Sequence, residues 1–424
     1  MHAPTDPPLP GGLPRPPAHD VAGAAGYVTD HLGDLVDGEV VASPRFRGGQ
    51  LAADAALAAL ELTGYAAQRN EVWPEDRRGA TALSPHVRHG LLPLPLLWEA
   101  AAEVPGRDRD RDRFRDELLW QEYGRHLYAR LGPRLGDGLR RRLAGAPLGT
   151  DPPEQVWDRR MACLEAASDE LVTDGYLVNQ TRMWLASHWA VRRGVDWRDG
   201  EEVFFRHLLD GSRAANRTGW QWTVGTGTGR PYGFSRSQVE KRAPGRCDTC
   251  PLEARCPIED WPPDPALTDT DEPPGLRADG EVEVTAGPQQ PVVRAAAELV
   301  WLTAESLGDD DPALAAHPEL PAVFVFDAPL LARLRLSGKR LVFLVETLAD
   351  LAERREVHLA RGSPVEVLAG RALATTFAPV PGWRRRAASL DIAALHPWPW
   401  LRRPHGGSAA SFSAWRRAAE RAGR

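Results

Sequence analysis

The chain has 424 residues, 42% of them hydrophobic and 26% charged, which suits a globular protein with room for two domains. A formal net charge of −6 gives no global attraction to nucleic acid, so a DNA-binding face would have to be local. The sequence shows no apolar run long enough to cross a membrane and no secretory leader at its start, so a cytoplasmic protein with reduced thiols is expected.

Residues 1–45 are rich in Pro and Gly and predict a poorly ordered arm. From 46 to 261 the apolar spacing is helical: LAADAALAALELTGY, ELLWQEYGRHLYARLG and ACLEAASDELVTDGYLVNQTRMWLASHWAVRRG are the clearest stretches. Residues 262–295 are acidic and Pro-rich and predict a linker. Beyond it, at 296–424, the period changes. ELVWL (298–302), AVFVFD (322–327), EVHLAR (356–361) and ALATTFA (372–378) read as buried strands, with helix between Ala328 and Arg354 broken near Ser337-Gly338. The expected fold is mainly α: an all-helical domain followed by a small α/β domain with a parallel sheet and a basic C-terminal tail. The tail stretches GWRRRAA and AWRRAAERAGR could reach DNA phosphates or form a solvated helix face.

Two features concentrate chemistry. Three of the four cysteines lie in GRCDTCPLEARCPIEDW (245–261), and the fourth, Cys163, lies far upstream. Cys247, Cys250 and Cys256 form a compact CxxC-x5-C group, and four thiolates can hold an iron–sulfur cluster or zinc. The segment DWRDGEEVFFRHLLDGSRAANRTGWQWTVGTGTG (196–229) reads as a helix ending at Asp210-Gly211, a polar turn, and a second helix opening near Ala214. Asp210 and Asn216 would stand beside a helix N-terminus, where a polar ring or an anion is well received. Spacing alone favours a capped helix pair with Trp220 and Trp222 in the core.

The segment resembles the flavin-binding signature of the DNA photolyase and cryptochrome family. ASPRFRGG, GYAAQRN, GATALSPHVRHG, FRDELLWQEYGRHLY and DGYLVNQTRMWLASHW follow in the family's order, over roughly residues 45–235. The resemblance implies FAD, with Tyr65, Thr81, Leu83 and Ser84 on its adenine and phosphate side. Asn216 would face the flavin N5 edge, and Asp210 would pair with Arg182 beside the ring. Gln121 and Ser212 depart from the family pattern. The residues that touch a cyclobutane pyrimidine dimer in the family's repair enzymes match Glu117, Trp120, Asn179, Met183 and Trp222. Val178 stands where the (6–4) branch carries a histidine.

Flat apolar walls replace the stacking that a flipped-out dimer loses, and an acid or amide beside its carbonyls stabilises added charge. The implied activity is light-driven dimer splitting by reduced FAD in ultraviolet-damaged DNA, by a monomer. Glu117 and Asn179 would act on the lesion. Trp220 would be the proximal and Trp197 the middle member of a tryptophan relay, with Trp157, Trp184 or Trp189 as its exposed end. The alternative is a cryptochrome-like photoreceptor or redox protein without repair. ELVWLTAESLGDDDPALAAH, AVFVFD and RGSPVEVLAG resemble the family's α/β antenna domain, which ordinarily comes first, so a circular permutation is expected. TAESLGDDD replaces the usual basic motif, leaving the antenna chromophore open. A bacterial branch of the family also carries a four-iron cluster, so Cys163, Cys247, Cys250 and Cys256 are expected to hold [4Fe–4S], with structural zinc as the other possibility.

Overall fold

The computed structural model describes residues 9–149 and 156–422. It divides into two compact units that share the chain in alternating pieces. Met1–Ala58, Pro85–Pro93 and Ala286–Pro399 form the first; Ala59–Ser84, Leu94–Thr285 and Trp400–Arg424 form the second. The described strands, in chain order, are β1 (Gly12–Leu13), β2 (Arg141–Leu143), β3 (Leu267–Asp269), β4 (Val292–Val293), β5 (Leu299–Leu302), β6 (Ala322–Asp327), β7 (Val357–Gly362), β8 (Leu373–Thr376) and β9 (Ile392–His396).

The first unit is built on a seven-stranded sheet of order β1-β7-β6-β5-β8-β9-β4. Its five inner strands are parallel, and both edge strands run antiparallel. All of β5 and all of β6 up to Phe326 are buried, as strands covered on both faces must be. Two helices, Ala328–Leu334 and Gly338–Ala352, part close to the break read from the sequence. Reading from β5, the parallel strands run in the doubly wound order 3-2-1-4-5.

Residues 9–45, the part of the expected arm that lies within the described residues, carry regular structure. β1 pairs with β7 through Gly12↔Ala360 and Leu13↔Leu359. Helix Val21–Leu32 buries Ala24, Tyr27, Val28 and Leu32, and Asp20 caps it by accepting from the Gly23 amide at 2.9 Å. The Pro and Gly count of the whole stretch had masked one short, well-capped amphipathic helix. The expected linker is also structured: β3 pairs with β2, Leu276 is wholly buried, and β4 joins the sheet.

The second unit is helical with one small ribbon, β2–β3, so it is not all-helical. Its long helix, Asp108–Leu131, places Leu119, Tyr123, Leu127 and Leu131 on one stripe by i, i+4 spacing. That stripe packs with Leu135, Leu139, Leu276 and Trp415. Trp415 belongs to helix Phe412–Ala422, so the chain's last described segment completes the helical unit rather than the α/β one. Helix Arg213–Val224 is the hub, packing against Asp108–Leu131, Asn179–Ala186 and Trp197–His207. Gly124 permits the first of these contacts, since a Cβ there would stand 3.3 Å from the Ala214 carbonyl oxygen.

Candidate functional site

The site begins where helix Ala162–Asp174 ends. Gly175 adopts the left-handed conformation (φ 69°) that stops it, and helix Asn179–Ala186 starts four residues later. The Gly175 carbonyl accepts the Leu209 amide at 2.8 Å, which ties the turn before helix Arg213–Val224 to this corner. That turn begins earlier than the sequence suggests, because helix Trp197–His207 ends at His207 rather than at Asp210.

Arg182 donates from Nη2 to Asp210 Oδ2 at 2.7 Å and from Nε to the Leu177 carbonyl at 2.9 Å. Burial works against the Arg182 charge, but the Asp210 carboxylate more than offsets it, and the guanidinium pKa is raised. Asp210 Oδ1 is buried with no hydrogen-bond partner, and so is Asn216 Nδ2. The Asn216 backbone amide is satisfied by Ser212 O at 2.8 Å, so only its side chain is left unmatched. Unpartnered buried polar atoms of this kind call for an occupant with its own donors and acceptors.

On the predicted adenine side, Tyr65 opens the short helix Tyr65–Gln68 and meets Phe114 edge-on at 5.6 Å. Burial pushes its phenol pKa up. Asp110 accepts the Ala66 amide at 2.8 Å and holds this turn. Ala82, between Thr81 and Leu83, has φ 55°, a conformation rare for a residue with a Cβ. Leu83 is buried; Thr81 and Ser84 are half-buried.

The residues expected at the lesion lie on three helices of the helical unit, Asp108–Leu131, Asn179–Ala186 and Arg213–Val224. Glu117 and Trp120 stand one turn apart on helix Asp108–Leu131. Glu117 accepts from Arg69 Nε at 3.0 Å and from Arg113 Nη2 at 2.7 Å. Two guanidinium groups therefore converge on one Glu117 oxygen. Met183 follows Arg182 on its helix. Trp222 is 39% exposed and tilts against Tyr232 at 5.8 Å, so it is no core residue. One face of Trp120 is covered by Phe412.

Trp220 is buried and meets Phe204 edge-on at 5.1 Å, Phe204 lies 6.3 Å from Trp157, and Trp157 lies 5.2 Å from Trp189. Gly200 lies between two of these rings: a Cβ there would stand 2.2 Å from Trp220 and 3.0 Å from Trp189, so both indoles pack against this glycine. Trp197 is buried at the first turn of its helix, with no ring contact among the described residues. The expected exposed end of a relay is not Trp157, Trp184 or Trp189, which are 2%, 1% and 0% exposed. Trp157 and Trp189 donate their indole N–H groups to the carbonyls of Leu185 and Asp196, as core tryptophans do.

Cys163, Cys247, Cys250 and Cys256 line a single recess with Met161, Arg236 and Arg246. Cys163 sits at the start of helix Ala162–Asp174, and Cys247 and Cys250 are joined by a turn in which the Cys250 amide donates to Cys247 O at 3.0 Å. Burial and the neighbouring thiols push Cys163 up to about 12, and burial pushes Cys247 up to about 11. Among the described residues, no group of three or more His, Cys, Asp or Glu side chains stands at the spacing of one metal ion. No described helix is long and apolar enough to cross a membrane.

Residues 114–242 match the family model of the FAD binding domain of DNA photolyase. This part of the chain belongs to the photolyase/cryptochrome family. A deoxyribodipyrimidine photo-lyase of Thermus thermophilus is 34% identical over 191 residues, 42% of this chain and 44% of the relative. One of Synechococcus is 29% identical over 185 residues, 39% of this chain and 36% of the relative. A solved bacterial class III photolyase from Agrobacterium tumefaciens is 27% identical, with TM-score 0.36 over 41% of this chain and 37% of that one. The chain thus spans less than half the length of these relatives.

Several residues around the photolyase-type pocket escaped the sequence reading. Arg78 pairs with Glu170 at 2.6 Å, and Arg242 with Glu71 at 2.7 Å. The Arg242 carbonyl accepts the Val72 and Trp73 amides at 2.8 and 3.1 Å, and Arg246 lies 3.9 Å over the Trp73 ring. Nothing local marks these arginines, because each partner lies 92 or more residues away.

Proposed function

We propose that the chain binds FAD between helices Asn179–Ala186 and Arg213–Val224 and uses it to split cyclobutane pyrimidine dimers in ultraviolet-damaged DNA under light. The observation that carries this reading is two buried unmatched atoms, Asp210 Oδ1 on the carboxylate that holds Arg182 and Asn216 Nδ2 on helix Arg213–Val224. Left empty, each would cost about 1–3 kcal/mol. A flavin ring edge, with acceptors and an N–H, would satisfy both, so the residues present fit the group. Tyr65, Thr81, Leu83 and Ser84 would hold the adenine and phosphate side; Asn179, Arg182, Asp210 and Asn216 would hold the ring.

Held there by Arg182, Asp210 and Asn216, reduced FAD would supply the light-driven electron transfer on which dimer splitting depends. The protein's part is placement. Trp120 and Trp222 would offer flat walls to a flipped dimer and Met183 would pack against it, while Asn179 would donate an amide N–H to a pyrimidine carbonyl. Glu117, held by Arg69 and Arg113, accepts from the lesion. Trp220 and Trp197 are the relay residues nearest the pocket. The first unit is the family's antenna domain in permuted order, with its edge strand supplied by the chain's first residues. The cysteine recess seats a [4Fe–4S] cluster. Cys163, Cys247, Cys250 and Cys256, which line one recess, would be its ligands, and the same four thiols could instead hold structural zinc.

One observation favours the second reading, a cryptochrome-like photoreceptor or redox protein. Phe412 already occupies one face of the Trp120 wall. Illumination of the reduced protein with dimer-containing oligonucleotide separates the two: recovery of intact thymine absorbance, lost in Glu117→Ala and Trp222→Ala, is the expected result. Bound, photoreducible FAD with dimers untouched would establish the sensor instead. Protein purified without oxygen should be brown and contain iron and acid-labile sulfide; stoichiometric zinc without iron would overturn the cluster assignment.

A further inference from the structure

Helix Phe412–Ala422 lies on the helix that carries Glu117 and Trp120. The Phe412 ring stacks on the Trp120 indole with centres 4.0 Å apart and planes 8° apart. Tyr123 braces both rings edge-on, at 5.7 Å from Trp120 and 5.8 Å from Phe412. Parallel and edge-on contacts together fix a ring plane far better than either alone.

The segment that delivers Phe412 is firmly held. Arg402 N donates to Glu122 Oε1 at 2.9 Å, and Tyr123 Oη donates to Ala409 O at 2.9 Å. Arg130 donates to the carbonyls of His405 and Gly407 at 2.5 and 2.9 Å. Trp415, wholly buried, donates its indole N–H to His126 Nδ1 at 2.8 Å. Lifting the helix would expose Trp415 and strand the partners of all these bonds. It is a wall, not a gate.

We propose that Phe412 is a positioning residue for Trp120, fixing the indole plane so that its remaining face meets a flipped dimer in one orientation and sets the preference for damaged over intact DNA. The proposal rests on the dimer-repair reading above. A half-buried tryptophan without a wall samples several rotamers and must be ordered when the lesion binds. A pre-stacked one is ordered beforehand, so the gain falls on the lesion complex and not on phosphate contacts.

The test compares binding of the flavin-loaded full chain to a labelled duplex with one thymine dimer and to the same duplex without it. Trp120→Ala should abolish most of the preference. Phe412→Ala should lower it by about 3- to 10-fold, while Phe412→Tyr should stay within about twofold of the parent. The salt dependence of binding to intact duplex should be unchanged in all three, a readout that general loosening of the fold would not spare. Should Phe412→Ala fold poorly, Phe412→Leu keeps apolar bulk without a ring plane and carries the same expectation. Full preference in Phe412→Ala with loss in Trp120→Ala would overturn the proposal and leave repair standing. Full preference in Trp120→Ala would instead remove the lesion wall from the repair reading. Tighter dimer binding by Phe412→Ala would make the ring a cover and also overturn the proposal.

Discussion

Replacing Arg182 with Met is the sharpest probe of the pocket corner. Asp210 has a side chain only 7% exposed, and one of its oxygens has no partner even in the parent chain. The substitution strips the other oxygen of its 2.7 Å bond and leaves a buried carboxylate uncompensated. Such a loss costs about 3–5 kcal/mol. The Arg182 side chain is 22% exposed, so water can enter the gap, and the lower figure of about 3 kcal/mol is the expectation. Asp210→Asn should also destabilise, by stranding the guanidinium. The double variant removes both charges and should recover about 2 kcal/mol relative to the sum of the singles. Urea unfolding of the flavin-free chain, followed by far-ultraviolet dichroism, measures the cycle. Flavin titration of the same four proteins should show affinity lost in every variant, including the double one. Singles and double that add within about 0.5 kcal/mol would refute the coupled pair, and a double variant that binds FAD like the parent would place the ring elsewhere.

Asn216→Leu should leave the flavin-free protein as stable as the parent or more so, since it removes an unmatched buried amide, yet lower FAD affinity at least about 10-fold by titration. Gly200→Ala drives a methyl to 2.2 Å from Trp220 and should cost about 1–3 kcal/mol in unfolding free energy while slowing flavin photoreduction. Burial raises Glu122 from 4.5 to about 7 against the opposing pull of Arg125 and the Arg402 amide. Its stabilising proton is therefore fully held below pH 4.5 and lost as pH rises through about 7, a change of about 3 kcal/mol. Glu122→Gln should flatten the fall in urea midpoint between pH 5 and 8, with Glu201, also raised to about 7, leaving a smaller residual slope.

What could be read in the sequence was what is local. The strands around Val300 and Phe324 show themselves by apolar runs, and helix Arg213–Val224 by a polar turn followed by helical spacing. Helix Val21–Leu32 was hidden because composition was averaged over a stretch whose prolines lie outside it. Trp222 was misplaced on spacing alone because its neighbour Trp220 is buried, although adjacent i, i+2 positions on a helix face different sides. Phe412 could not be found at all, since its partner is nearly three hundred residues away and no pattern in FSAWRRAAERA names it. The Arg182–Asp210 pair came from family resemblance, and only the structure adds that the second Asp210 oxygen is buried without a partner.

The cysteine recess and the proposed flavin pocket share chain segments, and the wiring is unequal. The ring side hangs on the Gly175 turn, where the Leu209 amide and the Arg182–Asp210 pair close the corner without help from the recess. The adenine side is different. Residues 71–79 are held by the Arg242 carbonyl and by Arg246, and Arg246 itself lines the recess. Gly79 then bonds to Gln68 O at 3.1 Å, just before Thr81 and Ser84. Disturbing the recess, as by Cys250→Ser, should therefore loosen 71–84 first and leave Asn179–Asn216 protected in hydrogen exchange. Flavin should be held less tightly, through its adenine end, while the ring keeps its geometry. Equal loss of protection at both ends would mean that the four cysteines support the whole helical unit and not one wall of its pocket.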